Sequence, residues 1–328
     1  MEKVISGIRP TGNLHLGNYF GAVKSFIKMQ DEYQCLFFIA DWHSLTTHPT
    51  PENIRNSAKT ILSEYLACGI DPQKAPIYVQ SDVKQVLELY LYFNMNTYLG
   101  ELERVTSFKE KVRQNPNNVN AGLLTYPTLM AADILVHKAD KVPVGKDQEQ
   151  NMEMARLCAR RFNRIYGVEY FKEPESFHLT DKAVKVPGLN GTGKMGKSEG
   201  NAVYLCDDEK TIRQKVMKAV TDAGPTMPNQ EKPEVIQNLF TLMELVSAPD
   251  TCAYFNDKYN DMSIRYGDMK KQLAEDINAF CAPIREKIVA FRNDEDYLDR
   301  VMKSGAEHAA ASAEKTIEEV RQIIGFHA

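Results

Sequence analysis

The sequence predicts an α/β protein, with a Rossmann-like parallel-sheet catalytic domain followed by an all-α helical domain. Three observations predict it. From Met1 to about Pro143, short β-branched or aromatic runs alternate with helical periods, the pattern of a parallel sheet with right-handed crossovers. Everything after Pro233 reads helical. Between these lies a charge- and glycine-rich loop, and the chain opens on a strand, tight loop and helix start, the junction where such sheets hold ligands.

Taken in order, the strand candidates are Lys3–Gly7, Cys35–Ala40, Pro76–Gln80 and Lys141–Val144. The helical periods between them lie near Leu14–Met29, Glu52–Cys68, Val86–Tyr98 and Tyr126–His137. Gly100–Leu124 is charged and reads as a solvated helix face, and the polar loop Gln114–Asn120, with Pro116, reads as exposed. A glycine turn at Gly145 enters a helix running to about Arg164. Beyond Ser198 come a short basic helix, Lys210–Val220, and a loop rich in Gly, Pro and Asn, Thr221–Lys232. Val235, Ile236, Leu239, Phe240 and Met243 then form one apolar stripe. Met269 to Phe291 form a longer one, which Pro283 is expected to kink. The last helix starts near Asp296, and its small residues Ala306, Ala309, Ala310 and Ala313 suit close packing back on the catalytic domain. The domains are therefore expected at 1–205 and 206–328, with the boundary good to about fifteen residues.

Of 328 residues, 43% are hydrophobic and 26% charged, an ordinary globular composition. No apolar run reaches membrane-spanning length and the N-terminus begins a strand instead of a signal peptide, so the expectation is a cytoplasmic protein with no membrane partner. The six cysteines are scattered, without CxxC or zinc spacing, and read as reduced thiols with no metal site. A net charge of −4 argues against coating nucleic acid by bulk electrostatics. It leaves room for a folded RNA gripped by a local cationic cluster.

The chemistry concentrates in two stretches. In Ser6–Asn18 the loop places backbone N–H groups and a helix N-terminus at one point, suited to an anion, and His15 and Asn18 lie three positions apart, able to serve one guest. In Gly191–Ser198 two lysines three apart, flanked by glycines, form a mobile cationic arm whose spacing does not fit a P-loop. Elsewhere, Asp133 is a lone carboxylate in an apolar helix, either bonded to the backbone or an acceptor at the floor of an apolar pocket. Asp147 and Gln148 either cap a helix or bind a charged amino group. His43, after the second strand, is either a satisfied histidine beneath the site or a ligand contact. Lys210, Arg213, Lys215 and Lys218 read as a solvated face or as phosphate contacts.

HLGN near the start and KMGKS past mid-chain resemble the HIGH and KMSKS signatures of class I aminoacyl-tRNA synthetases. With GIRPTGNLHLGNYFGAV, GELERVTSFKEK and AGLLTYPTLMAADILVHKADKVPVGKDQ, in that order and spacing, most of the chain resembles the bacterial-type tryptophanyl-tRNA synthetases. The resemblance implies activation of L-tryptophan by ATP to the adenylate and pyrophosphate, then transfer to the 3′ end of tRNA(Trp). It makes Asp133 the acceptor of the indole N–H, with Tyr126, Met130, Val142 and Val144 near the pocket and Gly7 beside the substrate. Asp147 and Gln148 match positions at its amino end, and Ile5 and His43 complete the candidate tryptophan set. The candidate catalytic groups are His15, Asn18, Lys194, Lys197 and, by family match, Lys111. Candidate ATP contacts are Arg9, Thr11, Gly17 and Asn18 from the opening turn and Gly145 and Asp147 from the turn after the fourth strand. Lys194, Met195, Lys197 and Ser198 on the arm complete them. Mg2+ is expected with ATP, the helical domain to read the anticodon, and the enzyme to be a homodimer bridged by tRNA. Gly196 replaces the Ser of KMSKS; Arg9 and Lys146 also depart from the common pattern. The alternatives are a tyrosyl enzyme or a catalytically silent RNA-binding homologue. An NAD-dependent oxidoreductase is weaker, since no GxGxxG follows the first strand.

Overall fold

A computed structural model describes residues 1–10, 12–145, 148–177, 185–191, 193–197 and 199–327, without the side chains of Arg55 and Gln114. Its centre is a parallel sheet of β1 (Lys3–Ile8), β2 (Gln34–Ile39), β3 (Ile77–Val79), β4 (Lys141–Pro143) and β5 (Glu175–Phe177), in the order β3-β2-β1-β4-β5. The α/β expectation holds, and the first four strands lie within two residues of the predicted ones. β5 was not predicted: three residues after Pro174 carry too little pattern, and only pairing with β4 makes them a strand.

The period of two sorts each strand's side chains to opposite faces. Val4, Cys35, Phe37 and Ile39 enter one core with Phe26, Tyr65 and Ile77; Ile5, Leu36 and Phe38 enter the other with Tyr78, Ala132, Val142 and Met152. β2 is buried on both faces, which is why it reads as a continuous apolar run. The order of strands reverses between β1 and β4, so the crevice beyond their carboxyl ends is where a ligand is expected.

The predicted first helix is broken up: a short turn, Leu16–Asn18, passes into a π-helical segment, Tyr19–Val23, before regular helix at Lys24–Glu32. Tyr19 and Phe20 there pack on Phe280 of the helical tail, with ring centroids 5.1 and 5.2 Å away. The Pro51–Cys68 helix has Thr50 as its cap and Pro51 in its first turn, where a missing N–H costs nothing. In the tail, the Tyr266–Arg292 helix runs through Pro283 without ending there, and a Pro249–Asn260 helix precedes it.

The final helix, Glu295–Ile324, lies along edge strand β3. Gly305 permits this: a Cβ at that position would stand 1.9 Å from the Ile77 carbonyl oxygen. Ala309, Ala313, Ile317 and Val320 bury into the second core, and the Arg321–Glu88 and Lys138–Glu319 ion pairs flank them. The edge that a parallel sheet would leave open is thereby covered.

Candidate active site

The opening turn folds as its residue types dictate. His15 caps the Leu16–Asn18 turn by accepting the Asn18 N–H at Nδ1 (3.3 Å), while Asn18 Oδ1 accepts the His15 N–H (3.1 Å). With Nδ1 accepting, the ring proton is assigned to Nε2. Burial, and then neighbouring Lys197, hold the imidazole down to about 4, so at neutral pH His15 is an uncharged donor.

The glycine-rich arm closes over this turn. Met195 N donates to Val186 O and Gly188 N to Gly193 O, so the arm doubles back as a hairpin. Asn201, 4% exposed, ties it together: its Oδ1 accepts the Gly196 N–H (2.9 Å) and its Nδ2 donates to Asn190 and to the Lys194 carbonyl. Met195 is buried against Gly17, where a Cβ would meet His15 Nδ1 at 2.8 Å and Met195 Cβ at 3.3 Å. Leu16 N–H donates to Val203 O and Leu205 N–H to Leu14 O, stitching the turn to the chain leaving the arm. His15, Gly17, Asn18, Lys194, Met195 and Gly196, with Lys185 and Val186, line a cavity of about 320 Å³. Neutral donors and two lysines around one space suit a polyphosphate. Lys197 Nζ donates to the Gly12 carbonyl at 2.8 Å.

A second group of residues gathers beyond the carboxyl ends of β2 and β3. Asp133 is 1% exposed; its Oδ2 lies 2.8 Å from His43 Nε2 and its Oδ1 accepts Gln80 Nε2 at 2.7 Å. Burial pushes its carboxyl above the usual range, and the bonds to His43 oppose that. His43 Nδ1 and Gln80 Oε1 lack a hydrogen-bond partner among the described residues. Tyr126 stands edge-on to His43, with ring centroids 4.3 Å apart, and the Lys111 ammonium sits 4.0 Å above the Tyr126 ring. Desolvation, and then Arg9, lower Lys111 to about 8. The contacts thus run from the Lys111 ammonium across the Tyr126 and His43 rings to a buried carboxylate.

The structure thus brings together His15, Gly17, Asn18, Lys194 and Met195 in one cavity, and His43, Tyr126, Asp133 and Lys111 in one chain of contacts; Arg9 is exposed beside Lys111. Lys111 faces Tyr126 and is not among the residues lining the cavity. Ile5 and Val142 are packed in the second core, with Met130 and Val144 partly buried against it. Gly7 and Gly145 are exposed at the carboxyl ends of β1 and β4, and Gln148 starts the Glu149–Tyr166 helix, accepting from Asn151. Thr11, Asp147 and Ser198, with Lys146, lie outside the described residues.

Sequence reasoning missed Gln80, Glu64, Asn201 and Arg292. Gln80 follows β3 at the edge where ligands sit, and Glu64, like Asp133, is a carboxylate inside an apolar helical run; both signals were present. Glu64 is fully buried, accepts the Leu14 N–H at Oε2, and pairs with Arg292 at 2.7 Å. Asn201 and Arg292 carry no local signal.

The chain was compared with known proteins. Residues 2–282 match the family model described as tRNA synthetases class I (W and Y). A tryptophan–tRNA ligase of Porphyromonas gingivalis is 70% identical over 326 residues, 99% of this chain and 100% of that protein. One from Fusobacterium nucleatum is 40% identical over 99% and 98%. A crystal structure of tryptophanyl-tRNA synthetase from Campylobacter jejuni, complexed with ADP and tryptophan, superposes with a TM-score of 0.90 at 34% identity, over 99% of this chain and 100% of that one.

Proposed function

We infer the mechanism from one premise: the chain belongs to the class I tRNA synthetases of the W and Y family. Its activity is that of a tryptophan–tRNA ligase. The tryptophan carboxylate attacks the α-phosphorus of ATP, the bond to the β,γ-diphosphate breaks, and tryptophanyl-adenylate and pyrophosphate result. The tryptophanyl group then passes to the 3′ end of tRNA(Trp), releasing AMP. A carboxylate is already ionised at pH 7, so no general base is needed, and catalysis reduces to positioning and to neutralising the leaving pyrophosphate.

For the amino acid, the observation that supports this reading is Asp133, buried and held between His43 and Gln80 beneath Tyr126. Indole offers one donor and no acceptor, which an acceptor-only carboxylate selects; phenylalanine would leave the carboxylate without that partner. Met130, Val142 and Val144 would supply the apolar wall, Gly7 would lie beside the substrate and Gln148 at its amino end; Ile5, packed in the core, is not among them. For ATP, the support is the cavity between His15, Asn18 and Lys194. His15 and Asn18 would donate to the phosphates, Lys194 and Lys197 would follow charge onto the pyrophosphate, and Lys111 with Arg9 would face it from beside Tyr126. ATP enters as its Mg2+ complex, a substrate.

Residues 1–205 form the catalytic domain and 206–328 the helical domain that reads the anticodon. The working form is a homodimer in the cytoplasm. The Gln85–Asn96 helix supports the dimer: Leu87, Leu91 and Met95 lie exposed at four-residue spacing, continued by Tyr98 and Leu99. Among the described residues no helix is long and apolar enough to cross a membrane.

The test is exchange of labelled pyrophosphate into ATP by the purified protein with each amino acid in turn. Exchange with tryptophan far above tyrosine and phenylalanine is expected; equal exchange with tyrosine refutes the roles given to Asp133.

A further inference from the structure

Arg292 closes the Tyr266–Arg292 helix of the tail, far from Asn13 in sequence, yet it reaches the opening turn. One of its terminal nitrogens donates to Glu64 Oε1 (2.7 Å) and to Asn13 Oδ1 (3.0 Å), and its Nε donates to Ser63 Oγ (3.2 Å). Glu64 in turn holds the Leu14 amide, one residue before His15. On the other side of the same turn, Lys197 rests on the Gly12 carbonyl. Burial pushes the Glu64 carboxyl up to about 7, and the Leu14 amide and the charges of Arg292 and Lys197 oppose that. A carboxylate with no exposed surface must take a cation or a proton.

We propose that Arg292 is a positioning residue for adenylation: it occupies Glu64, so that among the described residues Lys197 hydrogen-bonds only a neutral carbonyl and stays free to move onto the nucleotide's phosphates. A lysine bonded to a carbonyl exchanges that partner for phosphate more readily than one paired with a buried carboxylate. Without Arg292, Lys197 is the remaining cation whose charge acts on Glu64, and it is drawn there. The same pair makes the placement of the tail helix felt at the ATP turn, because Asn13 and Leu14 move with Arg292 and Glu64. The inference rests on the phosphate-binding reading of Lys197 given above.

The experiment compares Arg292→Met, Arg292→Lys and the double variant Arg292→Met/Glu64→Gln with the parent in tryptophan-dependent pyrophosphate exchange, with the KM for ATP and for tryptophan measured separately. Arg292→Met is expected to lose about tenfold or more in kcat/KM for ATP, as displacement of a phosphate-binding group by an ångström does, with the KM for tryptophan unchanged. Arg292→Lys, which keeps a cation on Glu64, loses less. The double variant recovers most of the loss, because glutamine still accepts the Leu14 amide and no charge remains to capture Lys197. An Arg292→Met protein with parental kcat/KM, or a double variant no better than the single one, overturns the proposal. If Arg292→Met does not fold, the double variant decides: kcat/KM for ATP near the parent's supports the proposal and a tenfold loss overturns it. A parent that shows no exchange with tryptophan refutes the functional reading itself, which separates the two failures.

Discussion

Replacing Asp133 by asparagine isolates the charge of the carboxylate from its role in packing. Alanine would not, since it leaves His43 and Gln80 as two buried groups without their acceptor, at about 1–3 kcal/mol each. Asparagine keeps both contacts. Its oxygen accepts from Gln80, and its amide donates to His43 Nε2 once the imidazole proton moves to Nδ1, which has no other partner among the described residues. Removing the charge also relieves the desolvation that pushes the Asp133 carboxyl up, so stability is expected to change little. What is lost is a hydrogen bond from the indole N–H to an ionised acceptor, worth about 1.5–3 kcal/mol. That corresponds to a rise of roughly ten- to 150-fold in the KM for tryptophan. The assay is pyrophosphate exchange with each substrate varied against saturating partner, with thermal denaturation of the same sample. A KM for tryptophan within about twofold of the parent's, in a variant of unchanged melting temperature, would refute the assignment of Asp133.

Three further outcomes are expected. Since Lys111 is lowered to about 8, its ammonium is lost as pH rises past that value, so kcat/KM should fall on the alkaline side. Lys111→Arg, which stays charged, should move that limb upward, and superimposable pH profiles would exclude Lys111 as its source. Gly17→Ala places a methyl 2.8 Å from His15 Nδ1 and should cost about tenfold or more in kcat/KM for ATP, with tryptophan binding by calorimetry unaltered; parental ATP kinetics would show that His15 need not hold this position. Gly305→Ala gains about 1 kcal/mol of helix propensity but drives a methyl into the Ile77 carbonyl at a cost of up to about 3 kcal/mol, for a net loss of up to about 2 kcal/mol by denaturant titration. A more stable alanine variant would mean that the final helix does not sit this close to β3.

How far the sequence could be read depended on whether a signal was local. β2 was legible because burial on both faces demands an unbroken apolar run, and Asp133 because a carboxylate inside an apolar helix must have a purpose. The two stretches carrying His15 and Lys194 could be recognised separately, and the structure adds that Met195 packs on Gly17 to bring them together. The π-helical segment was not legible, since Tyr19–Val23 keeps a pattern that an ordinary helix would satisfy and the departure accompanies ring contacts with Phe280. Arg292 was beyond reach for a related reason. A hydrogen bond between residues hundreds of positions apart leaves no periodicity, and only the folded chain says that a tail arginine answers Glu64.

The covering of β3 by the final helix bears on how the chain comes off the ribosome. Synthesis delivers the sheet strands first, and until the Gly305 segment has left the exit tunnel, β3 presents a bare row of amides and carbonyls to solvent. Nascent copies emerging from neighbouring ribosomes on one messenger would meet in that interval, and strand pairing between them is the misassembly that arrival of the last helix forecloses.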